Sequence, residues 1–320
     1  MTKYILRRLL QIIPMVVIMA TISFLLIRLA PGDPAMVLAG EDANPTYIEA
    51  VRVKYGLDQP LHVQLWRYLS RLVQGDLGQS MSMRLPVAQL VRDRLPNTLI
   101  LVLSGHSLAI VAGAILGTYA AYRRGSWPDL LLCAVSSALY SVPVFWSGLI
   151  LVLLFAVTLG WLPTSGMMSI GQTCTGFEHL LDVLRHLILP VATLALAEWP
   201  PYFQIMRTSV AEVMGSDYIK VARAKGLGEP KVLYRHGLRN ALLPTVSLGG
   251  LQIGKSFAGA ILVETVFGWP GMGGLAFTAI FTRDYPILMG VFIVVSIAVL
   301  VMNLVTDLAY AALDPRVVYC

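Results

Sequence analysis

The chain has 320 residues, 57% of them hydrophobic and only 13% charged. A soluble globular domain carries about 25% charged residues, so this composition excludes one and indicates a helical protein of the membrane. The net charge of +6 fits basic loops on the cytoplasmic side of a bilayer and makes no case for nucleic acid as a partner.

In chain order, Lys3, Arg7 and Arg8 precede nineteen uncharged residues, 9–27. This run is long enough to cross a bilayer, and its apolar core is longer than that of a secretory signal. It predicts an uncleaved first span with its basic end inside, bent mildly at Pro14. Residues 28–96 are more polar, nearly balanced in charge and punctuated by Gly, Pro and Asp. They predict an extracytoplasmic subdomain, since a structureless loop of that length is uncommon in a compact protein. Within it, Trp66, Leu69, Leu72 and Val73 predict one face of an amphipathic helix. Residues 97–122 form the second span. Its Gly113 and Gly117 are one turn apart and predict close helix packing. Its His106 has no second ligand at i+3 or i+4, so it reads as a hydrogen-bonded packing residue. Arg123, Arg124 and Pro128 make a short basic turn. Residues 130–159 form an overlong third span that Pro143 is expected to kink. Residues 160–185 are polar, with Trp161 as an interfacial anchor.

The fourth span, residues 187–206, contains Glu198-Trp199-Pro200-Pro201, and two adjacent prolines are expected to break or sharply kink it. Residues 216–244 follow, the most basic short segment of the chain. Ser216 or Asp217 can cap a short helix. Tyr218, Val221 and Ala222 give that helix an apolar face, with Lys220 and Arg223 off it. Gly226 can end it in a left-handed turn, and Pro230 suits the first turn of a second helix. A helix, glycine turn and helix between two spans make a shape suited to docking another protein. The fifth span is residues 242–263 and the sixth is 286–306, which places both termini inside.

Chemistry-bearing patterns are sparse. Residues 249–256 satisfy G-x-x-x-x-G-K-S, the phosphate-binding loop of ATPases, but they lie inside a spanning apolar run with no preceding strand, so the match is assigned to chance. Lys255 within that run costs about 2.5–3.5 kcal/mol on insertion scales. Counted from the cytoplasmic entries, Glu198 lies 8 residues deep and Lys255 13. The two either approach each other or both face a polar translocation pathway; Lys255 snorkelling into a subunit interface is the plainer alternative. Glu264 reads as a cap that orders the turn at 268–271. The five histidines show no metal spacing, no G-x-S-x-G occurs, and Cys133, Cys174 and Cys320 form no disulfide framework or metal site.

Val-Ala-Arg-Ala-Lys-Gly-Leu-Gly at 221–228, followed by His-Gly-Leu-Arg-Asn-Ala-Leu-Leu-Pro at 236–244, resembles the "EAA loop" of permease subunits of binding-protein-dependent ABC importers. It is closest to the dipeptide, oligopeptide and nickel branch. Lys220-Val221-Ala222 stands at the E-A-A triplet and Leu238-Arg239 where Leu-Pro is usual, so the glutamate and that proline are absent. Similar pieces recur in order at 30–34, 55–60, 75–78, 141–146, 264–271 and 313–316. The resemblance implies an all-α type I importer permease with six transmembrane helices: residues 1–30 the tail and first helix, 31–96 the extracytoplasmic subdomain, and 97–320 the permease core with a coupling loop at 210–243. It implies ATPase contacts at Tyr218, Ala222, Ala224, Gly226, Leu227 and Gly228. It also implies a homologous second permease, two cytoplasmic ATPase chains carrying ATP and magnesium, an extracytoplasmic binding protein and no cofactor on this chain. It places the chain in a bacterial inner membrane, as a translocase subunit rather than an enzyme. Peptides are the expected cargo, nickel or a metal chelate the alternative. From other classes, a proton-coupled secondary transporter using His106, Glu198 and Lys255, a self-contained ATPase and a receptor remain as competing readings.

Overall fold

The computed structural model describes residues 2–29, 35–36, 43–54, 56–169 and 176–313. The motif at 30–34, Tyr55, Cys174, and the tail motif from Asp314 onward with Cys320 lie outside them. The described elements are helical, with a single antiparallel bridge between Gln79 and Pro86. Four helices are long and apolar enough to cross a membrane: Val87–Tyr122, Phe177–Met214, Glu229–Phe267 and Tyr285–Leu308. A broken pair, Trp127–Ser141 with Val144–Thr158, makes a fifth if counted as one span. The first of the six expected spans falls in helix α1, Thr2–Leu29, whose apolar stretch is Leu10–Leu26.

Two compact units are distinguished, residues 1–96 with 274–300 and residues 97–273 with 301–320. In the first, α1 is followed by α2 (Pro45–Lys54) and α3 (Leu61–Val73). Helix α3 packs on α1, and the Tyr68 ring stacks on Phe24 with centroids 5.8 Å apart. The inward face of α3 is therefore Leu65, Tyr68, Leu69 and Leu72, which recur every three to four residues. Trp66 and Val73, expected on that face, are turned off it and exposed. In the same unit Asp284 is fully buried. Its Oδ2 accepts hydrogen bonds from the Ser80 hydroxyl (2.7 Å), the Ser82 amide (2.8 Å) and the Ser82 hydroxyl (2.8 Å). This pins the loop before helix α4, Val87–Tyr122.

The second unit holds the rest of α4, then α5 (Trp127–Ser141), α6 (Val144–Leu151, prolonged by a π-helical turn to Thr158), α7 (Phe177–Met214), α8 (Asp217–Ala224) and α9 (Leu238–Phe267). Helices α10 (Met272–Phe281) and α11 (Tyr285–Leu313) follow. The expected third span is broken, not kinked. Val142 and Pro143 are both extended, and α5 and α6 meet at 107°. The ring of Pro143 clashes with an α-helical residue before it, so Val142 is driven out of the helix. The expected break at Pro200-Pro201 is absent, since α7 runs through both prolines. Membrane helices tolerate such losses of backbone donors, and packing here outweighs them. Trp199, Pro200, Tyr202 and Phe203 are buried, and the glycines of α4 lie against this stretch. A Cβ on Gly113 would collide with Tyr202, one on Gly117 would come 2.7 Å from the Phe203 carbonyl, and one on Gly105 would come 2.8 Å from Leu194.

Candidate functional site: the basic loop between α7 and α9

Helix α8 begins after Ser216, which occupies the cap position. Its hydroxyl bonds back to the Val213 carbonyl (2.6 Å) and caps nothing on α8. The buried side of α8 is Ile219 and Ala222, at i and i+3. They pack on Val232, with Val213, Met214 and Leu227 around them. Tyr218 (44% exposed) and Val221 (53%) lie outside this buried side. The expected face of Tyr218, Val221 and Ala222 is thus divided, with Ala222 inward and the other two outward. The stagger explains it: Ile219, omitted from the sequence pattern, lies one turn from Ala222 and supplies the inward anchor.

Gly226 has φ of +75°, the left-handed conformation that ends a helix without a Cβ penalty. The turn around it is tied by Arg223, whose Nε and Nη2 donate to the two carboxylate oxygens of Glu229 at 2.6 and 3.1 Å. Glu229 holds the guanidinium pKa above its ordinary value. Asn240 donates to the Tyr218 hydroxyl at 2.9 Å and ties α8 to the start of α9. Ala224, Gly226 and Gly228 are exposed, and Leu227 is half-buried against the anchor. The second helix expected from Pro230 is no separate element. One turn at Glu229–Lys231 passes through a π-helical segment, Val232–Gly237, directly into α9. The loop and the span beyond it form one helical path from Glu229 to Phe267.

Glu198 and Lys255 are not brought together. Glu198 Oε2 lies 2.8 Å from His106 Nδ1, and its Oε1 is buried with no hydrogen-bond partner among the described residues. The Ser256 hydroxyl lies 2.9 Å from the same ring nitrogen, while His106 Nε2 lies 3.2 Å from both the Gly249 carbonyl and the Tyr202 hydroxyl. His106 is thus a buried hydrogen-bonded residue at the meeting of α4, α7 and α9. Lys255 is exposed, one position before Ser256, which marks the inward side of α9. The G-x-x-x-x-G-K-S match is helical throughout, so its amide groups are spent within α9. Glu264 caps as expected. It accepts the Thr98 hydroxyl at 2.5 Å and the Gly273 amide at 2.6 Å, while Thr98 accepts the Met272 amide at 2.7 Å. Asp129, also buried, receives Arg207 through Nε (2.6 Å) and Nη2 (2.9 Å). This pair was missed in the sequence, although a charge in each of two apolar helices was its signal. No cluster of three metal-binding side chains occurs among the described residues.

The family model "Binding-protein-dependent transport system inner membrane component" matches residues 113–319, a stretch that contains α8 and its turn, and a model of the N-terminal part of such membrane components matches residues 1–102. The chain belongs to this family. It is a permease subunit of a binding-protein-dependent ABC importer, a multi-pass translocase component and not an enzyme. The glutathione transport system permease protein GsiC of Salmonella paratyphi A is 41% identical over 319 residues, covering 100% of both chains. The protein of that name in Escherichia coli K12 is 40% identical over the same length and coverage. A chain of the methionine ABC transporter MetNI, solved facing inward, superposes with a TM-score of 0.56 at 14% identity, over 71% of this chain and 97% of that one. The fold is therefore shared with that transporter chain.

Proposed function

We propose that this permease forms half of a translocation pathway for small peptides, glutathione among them, and couples it to cytoplasmic ATPases through α8. The carrying observation is the two-sidedness of α8. Ile219 and Ala222 anchor it to the chain's own helices, Val221 stands exposed on the other side, Tyr218 is half-exposed with its hydroxyl held by Asn240, and the turn after it runs unbroken into α9. A helix held in this way can be displaced by a partner and pass the displacement to a span. The full-length likeness to permeases named for glutathione supports the substrate class. A homologous second permease supplies the other half of the pathway, two ATPase chains bind ATP and magnesium, and an extracytoplasmic binding protein delivers cargo. The chain itself needs no cofactor. The basic short loops support an orientation with both termini and the 210–243 loop on the cytoplasmic side, and with residues 31–96 outside. Lys255, exposed on α9, faces the pathway. Glu198 serves it by holding α4 and α7 together through His106.

The test is uptake of labelled glutathione and a dipeptide in cells that carry the chain with its binding protein and ATPases and lack other peptide importers. Uptake that collapses when ATP hydrolysis on the ATPase chains is abolished fits the proposal. Uptake that survives this and follows the proton gradient would establish the secondary-transporter reading instead.

A further inference from the structure

The end of α4 and the segment leading into α9 enclose a groove of about 590 Å³. Its deep end is aliphatic, lined by Ile110, Val111, Ile115 and Leu242, and its other end carries Tyr119, Tyr122 and Tyr234. Its one hydroxyl-bearing aliphatic side chain, Thr118, is already satisfied by the Ala114 carbonyl at 2.6 Å. The walls at the deep end therefore offer a ligand apolar contact and no hydrogen bond. Val111, Ile115 and the three tyrosines are exposed, so the groove is open along its length. From residue 110 to 122 the helix rises about 18 Å. One leaflet of the hydrocarbon core is about 15 Å deep, half of the whole.

Four cations adjoin the residues of the tyrosine end in the chain: Arg123 and Arg124 follow Tyr122, Lys231 follows Pro230, and Arg235 follows Tyr234. All four are exposed, and among the described residues none has an acidic partner, in contrast to Arg207 and Arg223. Aromatic rings with polar tips and unpaired bases at one end of an apolar groove match a lipid's polarity, tail in the groove and phosphate at the mouth. An apolar helix from another chain would leave these charges without a counterion, whereas a headgroup phosphate supplies one. Basic pockets between helices on the cytoplasmic side are the recurrent setting for anionic headgroups.

We infer that this groove is a binding site for one anionic phospholipid of the inner leaflet, seated against the segment that joins the basic loop to α9. Its occupancy braces that segment, because Leu233 is shared by the groove and by the cluster of Met206, Val210 and Ala241 that fixes the end of α7.

Two measurements test it on the full chain. A photoreactive residue replacing Ile115, irradiated in the native membrane, is expected to yield a phospholipid adduct. Capture of a second protein chain at that position would overturn the inference and make the groove a helix interface. Native mass spectrometry of the chain purified in mild detergent then compares added phosphatidylglycerol with phosphatidylcholine. Phosphatidylglycerol is expected to be retained preferentially, and its affinity should fall about fivefold per base removed in R123Q/R124Q and K231Q/R235Q. Equal retention of both lipids, or retention of phosphatidylglycerol unchanged in both double variants, would also overturn it. The Ile115 experiment leaves the bases intact and so remains decisive if a charge variant fails to accumulate.

Discussion

His106 and Lys255 are both basic residues within apolar helices, yet the structure gives them opposite settings. His106 is buried between Glu198, Ser256, Tyr202 and the Gly249 carbonyl, whereas Lys255 is exposed. Their substitutions should therefore separate stability from transport. His106→Ala leaves Glu198, Ser256 and Tyr202 without their shared hydrogen-bond partner and is expected to cost about 1–3 kcal/mol, read as a lowered Tm of the detergent-purified chain. Lys255→Ala removes an exposed side chain and should change stability by no more than about 0.5 kcal/mol, while uptake changes. Normal uptake in Lys255→Ala would remove Lys255 from the pathway. The partner of Glu198 was not legible in the sequence because it is 92 residues away, and depth counting favoured Lys255. What that count lacked was rotation: Ser256 faces inward, so its neighbour on the helix faces elsewhere. The glycines of α4 were legible because closeness of backbones restricts residue type locally, whichever helix supplies the contact.

At the scale of elements, α8 and its turn act as one piece. A Cβ added at Gly226 would meet no other atom within 4 Å, so the constraint on this residue lies in its backbone alone. Gly226→Val is expected to lose about 1–2 kcal/mol locally through the left-handed conformation. It should also re-aim the turn, so that ATP hydrolysis by the assembled importer persists while uptake falls. Hydrolysis and uptake that remain coupled as in the unaltered protein would refute this role. The glycine and the start of α8 after Ser216 could be read from sequence because each obeys a local rule, whereas the buried face could not, since Ile219 anchors it and Tyr218 and Val221 lie outside it. The fate of the prolines could not. Pro143 breaks its helix through the clash it imposes on Val142, while Pro200 and Pro201 are carried through in a stretch whose Tyr202 and Phe203 pack against the glycines of α4. The difference is one of tertiary packing, and the local sequence contains no trace of it.

The whole molecule is a polytopic helical chain of a permease family, with a loop anchored on one side and free on the other. Composition alone established the membrane setting, and the order of short motifs established the family. The assembly proposed for the chain turns on what meets the outer face of α8. The direct measurement is site-specific cross-linking in the native membrane from Val221, whose side chain is exposed on that face, with the captured chain identified by mass spectrometry. A single cytoplasmic ATPase chain is expected, cross-linked from Val221 and not from a probe at the buried Ile219. A lasting absence of any ATPase adduct, with the chain intact and transporting, would contradict docking through α8.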